Sequence, residues 1–215
     1  MGIPKVSPFH TPRGLFISCT LDYLQEMKTS LHLPTYGAHW LTLSKFGPLL
    51  LIETAGKETE RIQELITQWV LRGSFHLIAG SNCIPDYDDL QYSVSQFTNA
   101  FNETLDNMTV GRARTCFQLL DLLREADNQN KPVLILDFLH HFYNQDLKIS
   151  LRDHILEQCC QYTKRLSFCN PVVVLVPKLK TEDYNRFYPL LAGIADEILS
   201  KEEGSFSKAS QDSLF

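Results

Sequence analysis

The sequence predicts an α/β fold with a mainly parallel central sheet and helices on both faces. Two continuous apolar runs, "PVLILDF" and "PVVVLVP", are typical of strands that are buried on both faces of a parallel sheet. From His39 onward, short apolar runs alternate with stretches in which apolar residues recur at helical spacing. Strands that alternate with helices indicate a parallel sheet joined by helical crossovers.

Each element follows from one of these two patterns. The predicted strands, taken in chain order, are Trp40 to Leu43, Leu49 to Ile52, Phe75 to Ala79, Met108 to Val110, Val133 to Leu136 and Val172 to Val176. The predicted helices are Lys57 to Leu71, Tyr87 to Phe97, Arg114 to Ala126 and Leu151 to Leu166. In the first helix, apolar residues fall on one face, at Ile62, Leu65, Ile66 and Trp69.

The chain divides into a core and two flanking segments. Its 215 residues, 44% of them hydrophobic, suit one globular domain with a substantial core, which we place at residues 39–200. Residues 1–38 have mixed character and are predicted to form an N-terminal appendage. The segment from Lys201 to the end, residues 201–215, is polar and rich in serine, which predicts a disordered tail.

Composition and charge exclude several classes of protein. The formal net charge of -5 and the lack of a basic run argue against tight autonomous binding to DNA. No apolar run approaches the length of a membrane span, and no signal peptide is evident. The cysteines are scattered without the Cys-x-x-Cys spacing of zinc sites, so no metal is expected. We predict buried thiols in a reducing compartment, either the cytoplasm or, in a eukaryote, the nucleus.

The stretch "LLLIETAGKETERIQELI" has the layout of a phosphate-binding loop, with a strand, a turn and a helix. Such a loop needs glycines near the phosphates, a lysine, and a Ser or Thr hydroxyl for magnesium. Gly56 and Lys57 fit, but Leu51 occupies the first glycine position, and Glu58 occupies the hydroxyl position with Thr59 one place late. The loop is therefore short and carries a carboxylate near the phosphate position. The alternative is an ordinary turn with a solvated lysine.

A second candidate is Asp137, which ends the apolar run "KPVLILDF". A parallel strand delivers such a carboxylate to its carboxyl end, beside the loop of the first strand, where magnesium or its water shell would be held. The alternative is that Asp137 only caps the turn that follows.

The order of segments resembles a known family. The stretches "FHLIAGSNCIPDYDDLQYSV", "NMTVGRARTCFQLLDLL" and "PVLILDFLHHFYNQDLKISLRDHILEQCCQYTKRLSFCNPVVVLVP" look like the core of RecA/RadA-type recombinases and their paralogues. The resemblance covers residues 39–200 and implies a three-layer RecA-like fold of the P-loop NTPase type. In that family a phosphate-loop strand and helix lead to a strand that ends in an acidic residue, and a later strand carries the Walker B aspartate.

Carried over residue by residue, the resemblance implies a degenerate nucleotide site. Lys57 matches the phosphate-loop lysine and Asp137 the Walker B aspartate, but Ala79 stands where the family carries the acidic residue that polarises the attacking water. The missing carboxylate, the short loop and Glu58 all oppose hydrolysis. We therefore predict no catalytic residue. The predicted vestigial site comprises Thr54, Gly56, Lys57, Thr59 and Asp137.

Two basic residues and a histidine pair complete the candidates. Arg112 and Arg114 flank the end of a strand near a helix start, where they would meet a DNA phosphate or a partner carboxylate. The alternative for both is surface ion pairing. His140 and His141 are adjacent on a segment expected to be extended, so their side chains would point to opposite faces and share no metal.

Two functional hypotheses follow. The first is a non-catalytic RecA-like paralogue that docks a recombinase, another paralogue or itself in DNA recombination or repair, with at most weak DNA contact and no cofactor. The second is an ATP-binding RecA-like ATPase, in which Gly56, Lys57 and the helix N-terminus hold ATP and Mg²⁺ through an atypical loop. Because a fold does not determine function, the choice depends on the site.

Overall fold

The computed structural model describes residues 49–54, 59–80, 83–143, 147–202 and 205–208. The predicted appendage at 1–38, the predicted strand from Trp40 to Leu43 and the Gly56-Lys57 turn lie outside these residues. Within the described residues, strands and helices alternate as the sequence predicts.

The strands are β1 (Leu49–Thr54), β2 (Phe75–Gly80), β3 (Met108–Ala113), β4 (Val133–Leu136), β5 (Val172–Pro177), β6 (Glu197–Glu202) and β7 (Ser205–Lys208). The α-helices are α1 (Thr59–Arg72), α2 (Tyr87–Ser95), α3 (Phe101–Leu105), α4 (Cys116–Ala126), α5 (Ile149–Ser167) and α6 (Glu182–Ala192). A 3-10 helix, Phe138–Phe142, follows β4 directly.

The described strands form one sheet with the order β3-β2-β4-β5-β1-β6-β7. Strands β1 to β6 are parallel to one another, and only β7 is antiparallel, to β6. The chain runs from β1 towards β3 and then returns through β4 and β5 to β6. Because crossovers between parallel strands are right-handed in nearly all proteins, the two directions place helices on opposite faces.

The helices form two groups that match this expectation. Helices α1, α2 and α3 contact one another, and helices α4, α5 and α6 form a second contacting group. The second group packs on one set of alternating strand residues, which includes Leu49, Leu51, Ile135 and Val174. The predicted α/β fold with a mainly parallel sheet and helices on both faces is therefore confirmed, and it is consistent with a three-layer RecA-like arrangement.

The two strands expected to lie close together in the middle of the sheet are both inner strands but are not neighbours. Strand β5 lies between β1 and β4, because Val174 is in register with Leu51 on one side and with Ile135 on the other. Since the three strands are parallel, their carboxyl ends still meet at one edge. Thr54 and Asp137 therefore lie at the same edge of the sheet, as the sequence predicts for the strands that carry them.

Several helices and strands were not predicted from the sequence. Helix α6 contains Pro189 and many polar residues, although its start has a recognisable cap, in which Thr181 Oγ1 accepts a hydrogen bond from the backbone N–H of Tyr184 at 3.2 Å. The sequence predicts a disordered tail from Lys201, whereas β6 continues to Glu202 and pairs with β7. Backbone pairing of this kind satisfies polar groups of the main chain and does not require apolar side chains.

The inner strands β4 and β5 are apolar on both faces. Every residue of β4 is buried, and so are the β5 residues from Val172 to Val176. Large aromatic side chains, Phe138, Phe142 and Phe187, are fully buried under the second helix group. Among the described residues, no helix has the length and apolar character needed to cross a membrane.

Candidate functional site

A cavity of about 350 Å³ lies at the carboxyl edge of the parallel strands. In parallel α/β sheets, ligands bind at this edge between strands whose connections leave to opposite faces. Two pairs of neighbouring strands meet that condition: β1 with β5, and β2 with β4. The polar lining residues are Thr54, Cys83, Arg114, Asp137, His140 and His141, and the remaining lining residues are Ile62, Gly80, Ala113, Leu136, Leu175, Pro177 and Leu179.

Asp137 is fixed in the cleft by its backbone. The residue adopts φ 55° and ψ 46°, in the left-handed region, which Asp and Asn tolerate better than most other residues. Its N–H donates a hydrogen bond to the carbonyl of Leu175 at 2.9 Å, so the end of β4 stays attached to β5 through the turn. The sharp change of direction starts the 3-10 helix that follows. The alternative of a capping side chain is not observed, since Asp137 makes no side-chain capping bond to that helix.

Two described side chains, those of Cys83 and His140, lie next to the carboxylate of Asp137. Oδ2 accepts a hydrogen bond from the thiol of Cys83 at 3.3 Å. The same oxygen lies 3.8 Å from Nδ1 of His140, whose side chain is 63% exposed. Asp137 itself is 17% exposed at the side chain, so it is accessible from the cleft but not fully solvated. The carboxylate is therefore held by the protein and is not a free anion at the strand end.

His141 is the buried member of the histidine pair. Both histidines lie on the 3-10 helix and not on an extended segment, so that part of the expectation was wrong, but one ring is exposed and the other is 5% exposed. Burial lowers the pKa of His141 to about 4; His140 adds to the decrease and Asp137 opposes it. His141 is consequently neutral near pH 7. Its ring lies against β2, where a Cβ at Gly80 would be 3.5 Å from the His141 ring.

The end of β2 carries no carboxylate. Ala79, which is fully buried, pairs with Leu136 of β4 on one side and with Arg112 of β3 on the other. Gly80 follows as the last strand residue and lines the cavity. Ser81 and Asn82 lie outside the described residues. Among the described lining residues, Asp137 is therefore the only carboxylate.

The two arginines proposed as contact residues are separated by the structure. Arg114 lines the cavity, whereas Arg112 is exposed within β3 and is not among the lining residues. Arg114 is positioned by a reciprocal cap at the start of α4. The Thr115 side chain accepts from the N–H of Gln118 at 3.2 Å, and Gln118 Oε1 accepts from the N–H of Arg114 at 2.8 Å. The sequence carries this signal as a Thr-x-x-Gln spacing, which is typical of a capping box.

The remaining predicted site residues follow β1. Thr54 is the last residue of β1, is buried and lines the cavity. Thr59 is the first residue of α1, two residues later than the predicted helix start. Gly56 and Lys57 lie outside the described residues, so their role as phosphate ligands stays a prediction. The structure thus brings together Thr54, Asp137 and Arg114 at one edge.

A buried polar cluster below this edge was not anticipated. Glu53 of β1 is buried, and its Oε1 accepts a hydrogen bond from the hydroxyl of Tyr184 on α6 at 2.6 Å. The ring of Tyr184 stacks on that of Tyr188, with centroids 5.0 Å apart. Burial raises the pKa of both phenols, and the hydrogen bond and negative charge of Glu53 raise each further. Both therefore stay protonated, and the cluster ties α6 to β1. Because α6 was not predicted, neither was this contact.

A buried arginine anchors the 3-10 helix. Arg152 of α5 donates from Nη1 to the carbonyl of Phe142 at 2.9 Å and lies 3.4 Å from Oδ2 of Asp183. Its guanidinium also lies over the ring of Phe187. These contacts hold the segment that carries His140 and His141 against α5 and α6. The cleft is therefore built on fixed elements on this side.

Comparison with known proteins adds no assignment. No model of a known protein family matches the chain, and no curated protein matches it. The fold and the residues of the cleft are therefore the basis for a functional proposal.

Proposed function

We propose that the chain is a non-catalytic RecA-like protein that acts as an interaction or accessory protein in DNA recombination or repair. The observation that carries this proposal is the end of β2, where Ala79 and Gly80 stand beside Asp137. Hydrolysis of a nucleotide needs a group that orients and deprotonates the attacking water. With Asp137 as the only carboxylate among the described lining residues, no second one is placed to do this.

The ATP and magnesium implied by the resemblance do not fit the described part of the cleft. A magnesium triphosphate needs carboxylate or hydroxyl oxygens for the metal and several donors or cations for the phosphates. Oδ2 of Asp137 is engaged by Cys83, and Arg114 is the only permanent cation among the described lining residues. No group of three or more metal-ligating side chains is found among the described residues. Leu136, Leu175 and Leu179 give the cavity apolar walls.

Association with other proteins is supported by one edge of the sheet. No described strand pairs with the outer edge of β3, whose Val110 is exposed. Phe117, at the start of the neighbouring helix α4, is exposed as well. An open strand edge with apolar neighbours is a template for a strand of another chain. We therefore propose this edge as the contact for a RecA-like recombinase, a paralogue or a second copy.

The alternative proposal is an ATP-binding RecA-like ATPase with an atypical loop. The observation that favours it is the cavity itself, whose volume of about 350 Å³ lies at the carboxyl end of β1. Cavities of this size hold small molecules in many proteins. Gly56 and Lys57 would then supply the phosphate contacts.

Two measurements on the full chain test the proposal. Phosphate release from Mg-ATP, with and without single-stranded DNA, should not exceed the buffer rate. Surface plasmon resonance should detect binding to a purified RecA-type recombinase of the same organism. Val110→Lys should weaken that binding, because a lysine on an edge strand opposes strand addition. Leu190→Lys, at an equally exposed apolar residue on α6, is the matched control and should not.

Steady turnover of ATP would overturn the non-catalytic assignment and support the alternative. Equal loss of binding in both lysine variants would show that β3 is not the contact. If the unmodified chain does not bind the recombinase, the proposed accessory role is wrong.

A further inference from the structure

Helices α2 and α3 present an acidic surface, here called the α2–α3 surface. Residues 83–107 contain no Lys, Arg or His. The exposed carboxylates of this segment are Asp86, Asp88, Asp89, Glu103 and Asp106. Their summed charge equals the net charge of -5 of the whole chain, so the other residues are neutral on balance. The ion pairs found among the described residues involve other carboxylates, on α4, α5 and α6 and in the loops.

The same surface exposes aromatic side chains. Tyr87, Tyr92 and Phe97 are 54%, 69% and 50% exposed. Helix α2 is held by Leu90 and Val94, which are buried, and Tyr92 lies on the opposite face of the helix. Gln63 of α1 also donates from Nε2 to the carbonyl of Asp89 at 2.9 Å. The ring of Tyr92 is therefore not needed to attach α2 to the protein. Exposed aromatic groups beside carboxylates that form no ion pair with another described residue are unusual for a surface with no partner.

We propose that the α2–α3 surface docks an arginine- or lysine-rich segment of a partner protein. The carboxylates attract such a segment, and the faces of Tyr87 and Tyr92 accept guanidinium or ammonium groups by cation–π contact. Nucleic acid is repelled by the same charge. The surface lies outside the cleft, so this inference stands whether or not the cleft binds nucleotide.

Fluorescence anisotropy with the full chain tests the inference. The probe is a labelled synthetic peptide of alternating arginine and leucine, compared with the same peptide carrying glutamate for arginine. We expect the basic peptide to bind at physiological salt and the acidic peptide not to bind. Tyr92→Ala, and separately Asp88→Asn with Glu103→Gln, should each weaken binding by roughly fivefold.

The matched control is Glu125→Gln with Glu157→Gln, which removes two exposed carboxylates from α4 and α5. It should change binding by less than about twofold, since exposed charges beyond a Debye length of ~8 Å are screened. Circular dichroism and thermal melting confirm that each variant is folded. If the Asp88/Glu103 variant unfolds, Tyr92→Ala decides, because its side chain is 69% exposed.

Three results would overturn the inference. The basic peptide could fail to bind the unmodified chain. The control could weaken binding as much as the surface variants, which would indicate general charge attraction. Sedimentation equilibrium could show a dimer that Tyr92→Ala dissociates, which would make a second copy of this chain the occupant.

Discussion

The thiol of Cys83 donates a hydrogen bond to Oδ2 of Asp137 across 3.3 Å. The contact joins the segment after β2 to the end of β4, at the edge where the cavity lies. A thiol is a weak donor, so the bond orients the carboxylate more than it stabilises the fold. It also occupies an oxygen that a Walker B aspartate would use towards magnesium and its water. The carboxylate of Asp137 is thus engaged by the protein itself.

Substitutions of Asp137 should show whether the fold depends on the backbone conformation of this residue or on its charge. Its φ of 55° is tolerated by Asn and Gly but strains a β-branched residue. Asp137→Asn and Asp137→Gly should change the free energy of unfolding by less than about 1 kcal/mol, whereas Asp137→Val should lower it by roughly 1 to 3 kcal/mol. Urea denaturation measures all three. If Asn destabilises as much as Val, the charge and not the backbone is what the fold requires.

Lys57→Ala should leave the response to Mg-ATP unchanged. The sequence predicts a short turn with few N–H donors and a negative charge from Glu58 near the phosphate position, so we expect no tight binding to lose. Thermal melting with and without Mg-ATP is the measurement, because a ligand at 100 times its Kd would add about 2.7 kcal/mol of stability. A rise in melting temperature that disappears in Lys57→Ala would show a working phosphate loop.

The free energy of unfolding should decrease as the pH is lowered, because His141 is buried in its neutral form. Because burial lowers its pKa to about 4, the unfolded chain, with a His pKa of about 6.5, binds more protons at acidic pH. The stability that depends on neutral His141 is fully present above pH ~6.5. It is lost as the pH falls towards 4, by up to roughly 3 kcal/mol of unfolding free energy. His141→Gln should therefore show a smaller loss of unfolding free energy between pH 7 and about 4.5 than the unmodified chain.

His154→Gln is the control, because it makes the same substitution at an exposed histidine on α5. Burial also lowers the pKa of His76, which adds a loss of the same sign in every variant. An identical pH dependence in His141→Gln and the unmodified chain would contradict the prediction.

Tyr184→Phe should destabilise the protein through Glu53. The phenol donates to the buried carboxylate at 2.6 Å, and its removal leaves Glu53 with fewer donors. Loss of one hydrogen bond to a buried charged group costs roughly 1 to 3 kcal/mol of unfolding free energy. Urea denaturation should show this loss for Tyr184→Phe and none for Tyr92→Phe, whose ring is exposed. Equal urea midpoints for the two variants would mean that the hydrogen bond between Tyr184 and Glu53 does not stabilise the fold.

The fold class followed from the sequence because parallel strands buried on both faces leave a local pattern. The runs that form β4 and β5 needed no information from elsewhere in the chain. Their order did not follow, since nothing local to Leu51 or Ile135 shows that Val174 lies between them. The lateral order of strands depends on the whole set of crossovers.

The positions of candidate site residues could be predicted only where a strand end marks them. Thr54 and Asp137 lie at the predicted edge, because the carboxyl ends of parallel strands meet there. The burial of His141 was not visible in sequence, since it depends on how the 3-10 helix packs against Gly80. The contact of Cys83 with Asp137 likewise joins segments that are distant in the chain.

The position of β1 in the sheet has a consequence for biosynthesis. Its neighbours are β5 and β6, which leave the ribosome after the other parallel strands that the structure describes. Until they emerge, Leu50 and Ile52 have no strand beside them, and the nascent chain exposes an apolar segment with unpaired backbone groups. Contacts between ends so distant in sequence close slowly. Chaperones that shield this segment until β5 and β6 have emerged should therefore govern how much native protein a cell accumulates.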